Sequence, residues 1–258
     1  MTDAPVVLVT GASQGIGREI ALAFAATGAR LVLTARNREN LEETARLVAD
    51  HGAEALVRCA DVADPEDVER MATEALTRMG RIDVLICNSG VAGPTTVLWE
   101  LEPEQWQQTM RVNVDGVFHC CRSLLPSMIE RRAGSVVVIG SMSGKQPLHG
   151  RTPYTTGKLG LVGLVRTLAL EVGEFGIRVN LISPGAVAGP RIDSVIAGQA
   201  RVLGISDAEV RERLQDASPL HRLTEPREVA AAAVFLASPA AGAITGEDLN
   251  VSAGAVTY

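Results

Sequence analysis

Tyr154 and Lys158 stand four residues apart in Pro153-Tyr154-Thr155-Thr156-Gly157-Lys158, at the start of a long apolar, helix-like run. That spacing places both side chains on one face of a helix, one turn apart. An ammonium beside a phenol favours the phenolate, and the same ammonium donates hydrogen bonds to ligand hydroxyls. A tyrosine so placed serves as a general acid or base near neutral pH. Taken alone, the pair fits an ordinary solvated helix face equally well. Ser141 narrows the choice. It precedes Tyr154 by thirteen residues and follows the strand-like run Ser135-Val136-Val137-Val138-Ile139. Open α/β sheets hold their ligands at the carboxyl ends of strands.

The chain also opens on a strand, a glycine-rich turn and a helix. Val6-Val7-Leu8-Val9 is an apolar run of β-formers, Thr10-Gly11-Ala12-Ser13-Gln14-Gly15-Ile16-Gly17 follows, and Arg18 to Thr27 reads as helix. Glycines there permit a tight turn and let the backbone approach a pyrophosphate resting on the helix N-terminus. Gly11, Ser13, Gln14, Gly15, Ile16 and Gly17 are therefore candidate cofactor-binding residues. The spacing is Gly-x-x-x-Gly-x-Gly, which differs from the usual Gly-x-Gly-x-x-Gly fingerprint.

These residues need a scaffold, and the rest of the chain supplies one. Strands are expected near 6–10, 30–35, 54–59, 83–87, 135–140, 177–183 and 248–252. Helices are expected near 15–27, 39–50, 65–79, 104–131, 153–173 and 226–237. Asp64-Pro65-Glu66-Asp67 is a strong helix start, with a cap, a proline at the first position and early acids, and Thr224-Glu225-Pro226 reads likewise. Such alternation predicts βαβ units with right-handed crossovers. The expected fold is an α/β, doubly wound, seven-stranded parallel sheet in a single domain over 1–258. Residues 186–223 lack a clear pattern and read as a long irregular loop, a candidate substrate lid.

Composition excludes several classes. The 258 residues are 47% hydrophobic with a net charge of −6, which argues against general nucleic-acid affinity. Apolar runs are shorter than a membrane span, and no secretion signal is read at the N-terminus. Cys59, Cys87, Cys120 and Cys121 lack metal-ligand spacing, so no metal is expected. Buried apolar thiols in a reducing, cytoplasmic setting are the expectation.

Taken in order, the motifs resemble the short-chain dehydrogenase/reductase family, in its single-domain branch. The resemblance spans nearly the whole chain: Thr10-Gly11 through Gly17, Asp61-Val62, Cys87-Asn88-Ser89-Gly90, Asn113, Ser141, Tyr154-x-x-x-Lys158 and Pro184-Gly185. It implies hydride transfer between a nicotinamide and a carbonyl/alcohol substrate. Asn113, Ser141, Tyr154 and Lys158 would be the catalytic set, with Asn113 distorting its helix and holding a water that links Lys158 to solvent. Asp61 would accept from adenine and the Val62 amide would donate to it, although a capping role for Asp61 stays open. Asn88 and Gly90 would line the adenosine half, and Pro184 and Gly185 the nicotinamide end. Family members often carry a threonine where this chain has Gly189, so the Val187 amide is the candidate for the carboxamide. Gly144-Lys145-Gln146, Pro153 and the Asp248-Leu249-Asn250-Val251-Ser252-Ala253-Gly254 ending are similar to aromatic-polyketide ketoreductases, and the chain is also similar to 3-oxoacyl carrier-protein reductases. A homotetramer is the usual assembly in such a family.

The cofactor expectation rests on the end of the second strand. NAD-preferring relatives usually carry an acid there, whereas this chain has Ala35 followed by Arg36. A guanidinium holds a 2′-phosphate by charge-assisted bonds, with Ser13 and Arg38 as further donors. NADP(H) is therefore expected over NAD(H), against the open alternative that Arg36 and Arg38 are only a solvated turn. An NAD(H)-dependent alcohol or sugar dehydrogenase and a non-catalytic nucleotide sensor are the competing readings. Enoyl reductases of this fold are disfavoured, because they typically separate tyrosine and lysine by six residues.

Overall fold

The computed structural model describes residues 4–258. Seven strands form one sheet: β1 (Val6–Thr10), β2 (Arg30–Ala35), β3 (Ala55–Cys59), β4 (Val84–Cys87), β5 (Gly134–Ile139), β6 (Ile177–Pro184) and β7 (Asp248–Val251). Their order is β3-β2-β1-β4-β5-β6-β7, and every pairing is parallel. Parallel strands buried on both faces read as continuous apolar runs, which is why β1 is Val-Val-Leu-Val with all five residues buried. Successive side chains point to opposite faces. Val6 and Leu8 accordingly join the core layer shared with α3 (Pro65–Met79), α5 (Gly116–Arg131) and α6 (Thr152–Val172). Val7 and Val9 join the other layer, with α1 (Gly15–Ala25), α2 (Arg38–Asp50) and α9 (Pro226–Ala237).

Helix starts follow local chemistry. The Asp64 carboxylate accepts from the Glu66 and Asp67 amides at 2.9 and 3.3 Å, and Pro65 takes the first helical position. Such a cap contributes about 1 kcal/mol. At α9 the cap is Glu225, boxed with Glu228. Thr224 is buried instead, and its hydroxyl donates to the Val251 carbonyl at 3.3 Å.

Two expectations need correction. The 104–131 helix is α4 (Pro103–Met110), a π-turn over Arg111–Asp115 and then α5. Residues 186–223 are not an irregular loop: they hold α7 (Pro190–Leu203) and α8 (Asp207–Asp216). Ile196, Ala200 and Val210 close a small satellite core between these helices. Pro190 at the first turn of α7 and the Ser206/Glu209 capping box of α8 are start signals. Their polar outer faces hid the apolar stripe. Cys59 also departs from expectation, being half-buried, while Cys87, Cys120 and Cys121 are buried.

Candidate active site

The chain runs outward from β1 to β3, then returns to place β4 on the other side of β1. That reversal opens a crevice at the strands' carboxyl ends. A cavity of about 680 Å³ lies there, lined by the glycine turn, the ends of β2–β6, the start of α6 and part of α7.

The turn after β1 is built by close approach. Gly11 and Gly15 have φ of +67° and +56°, and a Cβ on Gly17 would stand 2.2 Å from the Gly11 carbonyl oxygen. Thr10 and Asn88 stitch this turn to the end of β4. The Thr10 hydroxyl accepts from the Asn88 and Ser89 amides at 2.9 and 3.0 Å. The Asn88 side-chain amide donates to the Thr10 and Gly11 carbonyls at 3.0 and 3.2 Å. Asn88 therefore holds the turn's shape. Arg18 locks the other side, donating to the Ser13 carbonyl at 2.8 Å and to Thr44 at 3.0 Å. No side chain caps α1, and its first turn has no acid, so its amides face the cavity free for an anion. A cradle that a single Cβ would fill, in front of an uncapped helix, fits the pyrophosphate of a dinucleotide.

At the far edge, Arg36 and Asp61 follow β2 and β3, with Nη1 and Oδ2 3.8 Å apart. Asp61 also accepts from the Ala63 amide at 3.0 Å in a local turn, while the helix cap that the sequence left open for it belongs to Asp64. Val62 is buried beside it. Arg38 turns away to Glu42 at 3.3 Å on its own helix, so it does not join Arg36 at this edge.

Ser141, Tyr154 and Lys158 converge on the cavity between β5 and α6. Ser141 Oγ accepts from the Ser143 amide at 3.1 Å and keeps its own proton to donate. Lys158 is buried, donates from Nζ to the Ile139 carbonyl at 2.7 Å and stands 5.9 Å from the Tyr154 ring centre. Burial pushes its ammonium down to about 7, and the Arg191 charge acts in the same direction. Cys87 lies behind it, its thiol pushed well up by hydrogen bonds with Cys120 and Cys121 and by burial, and so kept neutral.

Asn113 sits at the centre of the π-turn, fully buried. Its side chain accepts from the Val91 amide at 2.8 Å and donates to the Val91 carbonyl at 3.0 Å. The helix distortion that the resemblance implies is present, and it lets Asn113 fasten the loop after β4. Gly90 makes room: a Cβ there would stand 3.0 Å from Asn113 Oδ1 and 3.6 Å from Lys158 Nζ.

After β6, a Cβ on Gly185 would lie 2.8 Å from the Ser252 backbone, which holds Pro184-Gly185 against β7. Thr224 bonds the Ala186 carbonyl and the Ala188 amide at 2.8 and 2.9 Å. That pattern turns the Val187 amide to the opposite side, where Val187 lines the cavity. Gly189 has φ of +131°, a conformation closed to threonine, which accounts for the departure there.

Three contributors escaped the sequence reading: Arg151, Arg191 and the network around Lys145. Arg151 is buried and stacks on Tyr154, and Arg191 donates to the Gly90 carbonyl at 2.7 Å. Lys145 donates to Asn250 Oδ1 at 2.6 Å and lies 3.0 Å from Asp248 Oδ2, while Ser183 donates to Asp248 Oδ1 at 2.6 Å.

Residues 11–256 match a family model described as enoyl-(acyl carrier protein) reductase. The chain is 36% identical to the granaticin polyketide synthase putative ketoacyl reductase 1 of Streptomyces violaceoruber, over 98% of this chain and 94% of the relative. It is 34% identical to the 3-oxoacyl-[acyl-carrier-protein] reductase of Synechocystis sp., over 99% of this chain and 98% of the relative. Among solved structures, a single-substitution variant of actinorhodin polyketide ketoreductase with NADPH superposes at a TM-score of 0.95 with 35% identity, covering 100% of this chain and 99% of that one. NAD+-bound xylitol dehydrogenase superposes at 0.94 with 29% identity, covering 97% and 98%.

Proposed function

The chain belongs to the short-chain dehydrogenase/reductase family, a nicotinamide-dependent oxidoreductase acting on CH–OH/C=O pairs, and from that premise we propose an NADP(H)-preferring carbonyl reductase that uses Tyr154 as its acid. The observation that carries this reading is the convergence of Ser141, Tyr154 and Lys158 on one cavity with the glycine cradle. The Tyr154-x-x-x-Lys158 spacing on one turn of α6 favours it over the enoyl reduction named in the family description.

A bound nicotinamide supplies or accepts the hydride. The residues of this chain do the rest. Ser141 donates a hydrogen bond to the substrate's carbonyl oxygen, where negative charge develops. Tyr154 gives its hydroxyl proton to that oxygen, a contribution of about 10²–10⁴-fold for a positioned acid. Lys158, steadied by the Ile139 carbonyl, would hold the ribose hydroxyls of a bound dinucleotide. Asn113 holds the Val91 loop against the site, and in the oxidative direction the same groups act in reverse. The 258 residues act as one domain, with α7 and α8 as the substrate cover.

The cofactor preference rests on Arg36. Ala35 places no acid where a 2′-phosphate would lie, and Arg36 is mostly exposed beside Ser13 and Gln14 on the cavity rim. A second reading, NAD(H) dependence, has its own support: Arg36 faces Asp61 at 3.8 Å, which competes for its charge. Comparing kcat/KM for NADPH and NADH decides between them. Wild type should prefer NADPH, and Arg36→Ala should lose about 10-fold or more with NADPH and little with NADH. A wild type that prefers NADH contradicts the proposal.

A further inference from the structure

The substrate side of the cavity contains a buried cation with no carboxylate partner. Arg151 immediately precedes α6, is 4% exposed, and carries its Cζ 4.8 Å over the Tyr154 ring centre. A guanidinium stays charged and has five N–H donors. Its side-chain hydrogen bond is a long one, from Nη1 to Thr95 Oγ1 at 3.4 Å, and among the described residues no acid pairs with it. Arg191 stands at the exposed rim and donates to Gly90. Burial holds the Arg151 guanidinium below its ordinary range; the Tyr154 hydroxyl group opposes that shift, and the like charge of Arg191 adds to it. Among the described residues lining the cavity the one carboxylate is Asp61, which follows β3. β3 is four strands from β5, so Asp61 lies roughly 19 Å along the sheet and faces Arg36.

Burying an unpaired charge is expensive, and a ring face with one long hydrogen bond offsets only part of the cost. The remaining donors of Arg151 line the space beside the proposed acid. The dinucleotide's own anion does not meet this need, because its cradle lies at the end of β1, two strands from β5.

We infer that Arg151, with Arg191 at the rim, binds a carboxylate of the substrate close to the reacting carbonyl, which makes the substrate class short oxo acids and the matching hydroxy acids. The inference rests on the reductase reading above. In the reductive direction, oxo acid, NADPH and one proton give hydroxy acid and NADP+, with the carboxylate unchanged. A carboxylate within a few bonds of the carbonyl engages the guanidinium by two parallel charge-assisted bonds. Arg151 is thus a specificity-determining residue.

The test compares kcat/KM for 2-oxobutanoate, acetoacetate and levulinate with that for their ethyl esters, in wild type, Arg151→Gln and Arg151→Lys. The acid-to-ester ratio removes any general damage to Tyr154. Wild type should favour at least one acid, Arg151→Gln should lower that ratio by about 10–100-fold, and Arg151→Lys should restore part of it. Thermal-shift titration with the preferred acid in the presence of NADP+ gives a reading independent of turnover: wild type should gain and Arg151→Gln should not. Circular dichroism confirms that the variants are folded. Ester turnover equal to or above acid turnover in wild type overturns the inference and leaves the reductase reading intact. NADPH affinity lost in Arg151→Gln reassigns the residue to the cofactor and also overturns it. Absence of NADPH oxidation with both sets, beside turnover of other ketones, overturns the inference and leaves the reductase reading intact, whereas absence with every ketone contradicts both.

Discussion

At the scale of single residues, Lys158 carries the most electrostatic information. Burial holds its ammonium down at about 7, against about 10.4 in an unfolded chain. Between those values the unfolded state binds the extra proton, so Lys158 makes stability rise with pH across roughly pH 7 to 10. Below the folded value both states are protonated and the full cost of burying the charge is present. Chemical denaturation of wild type and Lys158→Met across that window checks this. The stability difference should move in favour of wild type by up to about 1.4 kcal/mol per pH unit, and a flat difference contradicts it. Tyr154, Lys158 and Ser141 were legible because their types and spacing are tied to helix and strand periods, whereas Asn113 was reached only through the family resemblance. Arg151 was not. A basic residue before Pro153 reads as solvated, and only the packing of Tyr154 and Thr95 around it shows that it is buried.

At the scale of elements, the carboxyl ends of β1 to β6 each deliver one part of the site, and short connections fix the parts relative to each other. The sequence disclosed the strands because both sheet faces are covered, and the caps of α3 because Asp64-Pro65 has a local cause. The helices of 186–223 stayed hidden because their apolar stripe packs mainly on itself. The link from β7 to the Ser141 loop was equally out of reach, since it joins residues about a hundred positions apart. Lys145 and Asp248 are 13% and 6% exposed as side chains, and Tyr258 closes the group by donating to the Lys145 carbonyl at 3.2 Å. Removing one partner of such a buried pair costs about 3–5 kcal/mol. Lys145→Met should therefore lower the melting temperature and reduce kcat by loosening the residues after Ser141. Lys145→Met with Asp248→Asn should recover part of the stability, because no charge is left unpaired. An unchanged melting temperature in the single variant contradicts the network's role.

At the scale of the whole molecule, the strand order and parallel pairing leave the long helices α5 and α6 on one side of the sheet. The run Leu159-Gly160-Leu161-Val162-Gly163-Leu164-Val165 of α6 is apolar around more than one face, yet Leu159 is 51% and Leu170 85% exposed, and Phe118 on α5 is 52% exposed. Covering one such side chain contributes about 1.5–3 kcal/mol. We propose that copies of the chain supply the cover in a homotetramer with closed symmetry. Light scattering at micromolar concentration should give a mass near four times 27.2 kDa, and Leu170→Glu with Leu159→Glu should lower it, whereas a monomeric wild type contradicts the assembly. No helix among the described residues is long and apolar enough to cross a membrane. We propose that this scaffold binds a nicotinamide dinucleotide and reduces a carbonyl through Tyr154. The most direct test measures NADPH oxidation with a panel of ketones and oxo acids, beside NADPH affinity by fluorescence titration, in wild type and Tyr154→Phe. Wild type should turn over, Tyr154→Phe should lose about 10²–10⁴-fold, and NADPH affinity should change little. Tyr154→Phe retaining more than about a tenth of the wild-type rate would contradict the proposal.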